Sequence, residues 1–182
     1  MITREELRES LIHECNICLH LYDKIPSGGF DFRFSAGQRS TIELLRYLAM
    51  TGIAPMKTFM EGNWTPWKEY QERLKEMTAE EFPARMREQI AEIRAFFDEV
   101  TEDDLRTRRA KLPIGTEVSM AVGVLETSLK WLVGYRMQLF LQVKASGVEG
   151  INTVNNWIGM DWKPDDAAGE NSTADVAEES AA

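Results

Sequence analysis

The chain has 182 residues and a net charge of −9, with 43% hydrophobic and 28% charged side chains. This length suits one domain with a substantial core, and the composition is that of a soluble globular protein. No apolar run approaches the roughly 20 residues that span a bilayer. The first ten residues, MITREELRES, are charged and lack the apolar centre of a signal peptide, so we expect a cytoplasmic protein.

The acidic charge is concentrated towards the C-terminus. Residues 164–182 contain six acidic and no basic side chains among small polar ones, a pattern that predicts a disordered acidic tail. We therefore expect one domain over residues 1–163, followed by that tail. The domain is only mildly acidic and has no basic patch, so nucleic acid is not an expected partner, and neither is a membrane.

The first helix is predicted at about residues 3–24. Thr3 and Glu6 match a capping box, in which side chains satisfy the first free backbone N–H groups. Glu14 falls on the apolar face of this helix, where a carboxylate must find a partner or shift its pKa. The expected place for Glu14 is the edge of that face, with its carboxylate in solvent.

The same helix contains a CxxC pair, Cys15 and Cys18, which His13 and His20 bracket. At about 100° per residue the thiols and the imidazoles project from opposite sides, so one metal ion cannot bind all four. A thioredoxin-like redox pair would need a βαβ setting that the sequence lacks. The expectation is reduced, largely buried thiols and surface imidazoles, and a redox role for the pair is kept as an alternative.

The second helix follows a loop at residues 26–38. Ser35 and Gln38 match a second capping box, which predicts a helix from about residue 36 to 50 and a further helical stretch to residue 60. A short helix is then expected at residues 67–77.

The third long helix is expected to end near residue 100, and Thr78 and Glu81 are its predicted capping box. Residues 101–117 form a polar connection with a short turn of helix. The last helix is predicted at about residues 117–145, with Gly147 as its C-terminal stop.

These long helical patterns, without a convincing pair of strands, predict an all-α fold, a four-helix bundle with a long connection before the last helix. If the connection at residues 101–117 is a crossover, the helices run in an up-up-down-down or similar order.

Two stretches carry a family resemblance. They are QRSTIELLRYLA in the second helix and LKWLVGYRMQLFLQVKASG in the last, with NTVNNWIGMD after it. Together they resemble the DinB-like family, bacterial four-helix bundles related to metal-dependent thiol transferases and to mycothiol-dependent maleylpyruvate isomerase. The resemblance covers about residues 5–161, and it implies the fold more strongly than any activity.

Relatives with a metal site carry one His in a helix-two pattern L-L-x-H-L and two in a last-helix pattern H-x-x-x-H-R-x-Q. Tyr47, Trp131 and Tyr135 stand at these three positions, and Arg136 and Gln138 match the rest of the last pattern. An indole N–H cannot ligate a metal, and a neutral phenol with a pKa near 10 is a poor ligand. The resemblance thus implies a degenerate site, so no metal and no cofactor is expected.

The candidate ligand-binding residues are Tyr47, Trp131, Tyr135, Arg136 and Gln138. They could line an aromatic small-molecule pocket with hydroxyl donors and a cation for an anionic group. In the other interpretation the aromatic rings fill the space of the metal, and Arg136 binds helix ends or an acid such as Glu43. The hypothesis is a binding or stress-associated homodimer. The alternative is a diverged thiol-dependent transferase or isomerase, and no catalytic residue is assigned.

Overall fold

The computed structural model describes residues 2–161. The predicted tail at residues 164–182 lies outside this range. The described residues form α1 (Arg4–Tyr22), α2 (Thr41–Thr51), α3 (Ala54–Glu61), α4 (Thr65–Leu74), α5 (Phe82–Asp98), α6 (Glu102–Thr107), β1 (Arg109–Lys111), β2 (Glu117–Ser119), α7 (Met120–Val124), a π-helical segment (Leu125–Leu129), α8 (Lys130–Ala145) and α9 (Thr153–Trp157). The predicted all-α class is confirmed, with one two-stranded hairpin added.

Helix α1 begins at the predicted capping box. The Thr3 side chain accepts a hydrogen bond from the Glu6 N–H, and the Glu6 carboxylate accepts one from the Thr3 N–H at 2.7 Å. The predicted start of α1 agrees with the structure because a capping box involves only residues that are close together in the chain.

Helix α2 begins later than predicted, with a capping box at Ser40 and Glu43 instead of Ser35 and Gln38. The N–H groups of Thr41 and Ile42 donate to the carbonyl oxygens of Phe32 and Phe30, at 2.9 and 2.8 Å. These bonds hold residues 30–42 as a loop returning on itself, so the helix cannot start before Ser40.

Helices α1, α2, α5 and α8 form the bundle. Tyr22 packs on Phe82 at one end of α1, and Arg4 donates to the carbonyl oxygen of Val100 at the other, so α1 and α5 are antiparallel.

Helix α2 runs parallel to α5 and antiparallel to α8. Arg46 donates to the carbonyl oxygen of Met77, just before α5, while Gly52 at the other end of α2 donates to Gln89 within α5. The resulting order is up-down-down-up, which differs from the up-up-down-down or similar order that a crossover at residues 101–117 would give. The crossover along the bundle is therefore the segment with α3 and α4, between the two parallel helices.

The polar connection before the last helix contains α6 and the hairpin. β1 and β2 are antiparallel, with Ala110 opposite Val118. The last helix starts at Met120 and not at residue 117, because residues 117–119 pair with β1 and the Ser119 side chain caps the N–H of Val122. Gly147 adopts a left-handed φ of 90° after α8, which confirms the predicted stop.

The core is one contiguous cluster that includes both cysteines, which are fully buried and unpaired. Burial raises the pKa of Cys15 to about 12 and the pKa of Cys18 well above its usual value. Within residues 2–161 no helix has the length and apolar character to cross a membrane.

Candidate functional site

Tyr47 and Tyr135, two of the residues that the sequence resemblance placed at ligand positions, are in direct contact. Their ring centroids lie 4.6 Å apart at an interplanar angle of 66°. Trp131, one turn before Tyr135 on α8, is joined to them through Trp67 of α4. Trp67 lies 5.7 Å from Trp131 and 5.6 Å from Tyr47. Three helices, α2, α4 and α8, thus meet at this position.

Two further rings extend this group, and the whole set is called the aromatic cluster: Tyr47, Phe59, Trp64, Trp67, Trp131 and Tyr135. Phe59 of α3 lies 6.1 Å from Trp131 and 5.6 Å from Trp64. All these contacts are edge-to-face, the geometry that pairs positive ring edges with negative ring faces, worth about 0.5–1.5 kcal/mol each beyond area burial. The rings pack on one another and occupy the space between α2, α4 and α8.

Arg39 covers the cluster from the loop before α2. Its guanidinium carbon lies 4.3 Å from the Tyr47 ring centroid and 5.5 Å from that of Tyr135. Arg39 is exposed, whereas Tyr47 and Tyr135 are half-buried. Among residues 2–161, no carboxylate forms an ion pair with Arg39. A cation therefore stands over two aromatic faces with its charge open to solvent.

The phenol of Tyr47 is a donor and not an anion at neutral pH. Burial raises its pKa above the ordinary value near 10, and the neighbouring Tyr135 raises it further, while Arg39 opposes the shift. A neutral phenol is a poor ligand for a metal ion. Residues 2–161 also contain no group of three or more His, Cys, Asp or Glu side chains arranged to hold a metal ion.

Arg136 follows Tyr135 by one residue, and this step of about 100° turns it away from the aromatic cluster. It is fully buried and binds two other helices. Its Nε donates to Glu14 of α1 at 2.5 Å, and its Nη1 donates to the carbonyl and side-chain oxygens of Asn156 of α9, at 2.5 and 2.6 Å. Its guanidinium also lies 5.1 Å from the Trp157 ring.

The expectation that Glu14 keeps its carboxylate in solvent is therefore wrong, since that carboxylate is the charge partner of Arg136. The proposed partner Glu43 is wrong for Arg136 as well, because Glu43 caps α2 and pairs with Arg33 at 3.4 Å. Gln138 is half-buried on α8, and its side chain makes no hydrogen bond within the described range. The structure thus joins Tyr47, Trp131 and Tyr135 and places Arg136 elsewhere.

A cavity of about 260 Å³ borders the cluster at Tyr47, between α2 and α4. Its lining combines apolar surface from Met50 and Leu74 with the charged side chains of Glu43, Arg46 and Lys75. It gives a small molecule room next to the ring that Arg39 covers.

Sequence reasoning missed Arg39 and the tryptophans of the crossover. Trp64 and Trp67 are spaced by three, which places them on one side of a helix start. That spacing was the available signal, but the position of α4 against α2 and α8 depends on the crossover and cannot be read from local pattern.

The bundle order, the crossover and the position of the cluster on α2 and α8 define a class of helical bundle, and comparison with solved structures identifies it as the DinB-like fold. The chain is similar to the crystal structure of a DinB-like protein, YjoA, from Bacillus subtilis at 2.30 Å resolution. The TM-score is 0.64 at 18% sequence identity, over 81% of this chain and 96% of that chain. At this identity the likeness shows the fold alone. No family model and no curated protein matches the sequence.

Proposed function

We propose that this chain is a DinB-like bundle that binds a small organic anion at the aromatic cluster and holds no metal there. The observation that carries the proposal is Arg39, an exposed cation over the rings of Tyr47 and Tyr135 with no carboxylate partner in residues 2–161. Aromatic faces and a cation at one position suit a planar molecule with an anionic group. Arg39 takes the role that the sequence pattern had assigned to Arg136.

The binding experiment compares naphthalene-2-carboxylate with the neutral naphthalene-2-carboxamide, by calorimetry on the full chain. We expect the carboxylate to bind, and Arg39→Gln to weaken it by about tenfold or more. Arg87→Gln, which removes an exposed arginine of α5, is the matched control and leaves the affinity unchanged. The proposal is contradicted if the carboxylate and the carboxamide bind with equal affinity, or if Arg39→Gln binds the carboxylate as tightly as the parent chain does. The aromatic cluster would then serve only to pack the helices together.

The absence of metal is tested by elemental analysis of protein purified without chelator. Stoichiometric zinc, nickel or iron that is lost in Tyr47→Phe or Tyr135→Phe overturns this part of the proposal. The converse test introduces Tyr47→His, Trp131→His and Tyr135→His together. If these positions correspond to the family's ligand positions, the triple variant gains one zinc ion, whereas Tyr22→His, Tyr70→His and Trp157→His together gain none.

We also propose a homodimer, formed through the exposed apolar side chains that follow α8. Trp157, Ile158 and Met160 are 55%, 53% and 59% exposed and adjacent in the chain, which is unusual for surface left in water. Light scattering should give twice the chain mass of 20.8 kDa. Ile158→Glu is expected to yield single chains, and Ile114→Glu, at an exposed position between β1 and β2, is not. A measured mass of one chain for the parent protein contradicts the proposed dimer.

The alternative function, a diverged thiol-dependent transferase or isomerase, is distinguished by an activity assay. It would use the protonated phenol of Tyr47 or Tyr135 as a proton donor. Turnover of a model electrophile with a low-molecular-weight thiol, abolished by Tyr47→Phe or Tyr135→Phe, would replace the binding function with that activity.

A further inference from the structure

A second cleft borders the aromatic cluster at Phe59 and Trp64, between the end of α3 and the turn of the β1–β2 hairpin. Its volume is about 190 Å³. The lining residues from the α3 side are Thr58, Phe59, Gly62, Asn63 and Trp64, and the hairpin contributes Lys111, Leu112, Pro113 and Gly115. Arg39, Tyr47 and Tyr135 take no part in it.

Thr58 is the first sign of a ligand. Its side chain is buried at 1% exposure, and its hydroxyl Oγ1 has no hydrogen-bond partner within residues 2–161. A buried hydroxyl that loses its water partners and gains none costs free energy. Thr58 lines the cleft, but its hydroxyl is closed to solvent in the described side-chain position. A group bound in the cleft can supply the missing partner once the Thr58 side chain turns to its other helical rotamer.

Lys111 is the second sign. It is exposed and stands opposite Glu117 in the hairpin register, yet no ion pair joins the two side chains. No other carboxylate of the described residues pairs with Lys111 either. The cleft therefore has one open cation, and its lining contains no Asp or Glu.

The rest of the cleft offers an aromatic wall and an amide. Phe59 and Trp64 meet edge-to-face at 5.6 Å and 86°, and Trp64 is 48% exposed. Asn63 uses its side-chain oxygen to accept from the Thr65 N–H at 2.8 Å, and its NH₂ group lies 3.5 Å from Glu61, at the limit of a hydrogen bond. The polar groups that remain available are thus mainly donors.

We propose that this cleft binds a small organic monocarboxylate, separately from the anion site under Arg39. The carboxylate accepts a hydrogen bond from Thr58 and pairs with Lys111, while the apolar part of the acid lies against Phe59 and Trp64. The volume of this cleft is below the range of about 300–1,000 Å³ that is typical of binding sites for drug-sized ligands. This volume limits the ligand to a short-chain or single-ring acid.

The test titrates the full chain with benzoate and with neutral benzamide, following the indole N–H signal of Trp64 by NMR. That signal is assigned as the one lost in Trp64→Phe. Benzoate is expected to shift it with saturation in the millimolar range, and benzamide to bind about tenfold more weakly or worse. No saturable shift with benzoate, or equal affinity for both compounds, overturns the proposal.

Two variants test the assigned contacts. Thr58→Val keeps the shape and removes the hydroxyl, and Lys111→Gln removes the cation. Each variant is expected to weaken the binding of benzoate by about tenfold. Lys68→Gln, at an exposed lysine of α4, is the matched control. Unchanged affinity in both variants rejects the site.

Stability distinguishes a lost contact from a damaged fold. Because the Thr58 hydroxyl has no partner, Thr58→Val should melt at the same temperature as the parent chain or higher. Arg39→Gln separates this cleft from the proposed anion site, since it should leave the Trp64 titration unchanged. If Arg39→Gln abolishes that titration, the acid binds at the other site and the inference about this cleft fails.

Discussion

Arg136 shows how a residue that matches a functional motif can serve packing instead. Its guanidinium joins α8 to α1 through Glu14 and to α9 through Asn156. One nitrogen, Nη2, remains without a partner in residues 2–161, although the side chain is fully buried. A buried cation of this kind needs its carboxylate, because an uncompensated charge in the interior costs more than the pair contributes.

Removing Glu14 should therefore destabilise the protein more than removing both charges. Glu14→Leu leaves the Arg136 guanidinium buried without a carboxylate and is expected to lower the free energy of unfolding by about 3–5 kcal/mol. Glu14→Leu combined with Arg136→Met is expected to cost less than Glu14→Leu alone. Urea unfolding followed by circular dichroism measures both.

The control is Glu9→Leu, which removes an exposed partner of Arg8 and should change stability by about 1 kcal/mol or less. A double variant as unstable as Glu14→Leu, or more so, would show that Arg136 contributes through Asn156 and packing and not through its charge pair.

Cys15 and Cys18 lead to a prediction about reactivity. The thiolate is the nucleophile, and burial raises the pKa of Cys15 to about 12 and the pKa of Cys18 well above its usual value. In the native protein at pH 7, neither thiol should react with an aromatic disulfide reagent, and both should react once guanidinium unfolds the chain. Rapid native-state labelling, or a drop in free thiols under mild peroxide, would restore the redox alternative.

At the scale of elements, Glu92 of α5 joins the two crossover helices to the bundle. Lys57 of α3 and Arg73 of α4 donate to its carboxylate, each at 3.1 Å, and the Tyr70 hydroxyl donates to it as well. Burial raises the pKa of Glu92, but these hydrogen bonds outweigh burial and leave its pKa below the usual value.

This shift predicts the sign of a pH effect. Since the folded-state pKa lies below the unfolded value of about 4.3, the contribution of Glu92 to stability is complete above that pH. It is lost as the pH falls through the folded-state pKa. Glu92→Gln should cost about 1–3 kcal/mol at pH 7, and the difference should shrink towards pH 3. The matched control is Glu88→Gln, an exposed carboxylate of the same helix. A difference independent of pH would show that Glu92 acts through packing.

Two glycines in the last helical region allow a paired test of how the hairpin packs. A Cβ on Gly123 of α7 would lie 2.8 Å from the Cβ of Ala110 in β1, too close without a shift of backbone. A Cβ on Gly134 of α8 would meet nothing within 4 Å. Both glycines follow a valine and look alike in the sequence, but only Gly134 has room for a side chain.

Gly134→Ala is expected to raise the free energy of unfolding by about 0.5–1 kcal/mol, because alanine restricts the unfolded chain and favours helix. Gly123→Ala should lower it, because β1 must move away from α7. Thermal unfolding of the two variants gives the comparison. Stabilisation by both substitutions would mean that the hairpin is not seated on α7 as described.

For the whole molecule, local signals predicted most helices and long-range contacts decided what they missed. The capping box at Thr3 and the stop at Gly147 are local, and both were found. Two serines, at 35 and 40, each begin a plausible cap, and the choice between them depends on hydrogen bonds to Phe30 and Phe32.

The candidate site divides in the same way. Tyr47 and Tyr135 meet, as expected for residues that the sequence resemblance placed at the rim of one cleft. Trp67 joins them through the crossover, and Arg39 through a loop that returns over α2, so neither could be predicted from periodicity. Glu14 was misplaced because its partner lies 122 residues further along the chain.

The single contiguous core predicts one cooperative unfolding transition. Side chains of α1, α2, α5 and α8 share that core with Trp67 and Leu74 of α4 and with Leu105 of α6. No part of the described range has a separate apolar core, so the crossover should not unfold before the bundle. Urea curves from far-ultraviolet circular dichroism, which reports the helices, and from tryptophan fluorescence, to which Trp64, Trp67 and Trp131 contribute, should therefore coincide. Trp157→Phe combined with Trp162→Phe removes the two tryptophans outside the aromatic cluster, and the remaining fluorescence should keep the same midpoint. A fluorescence midpoint at lower urea would show that α3 and α4 form a separate unit, and that the aromatic cluster opens while the bundle stays folded.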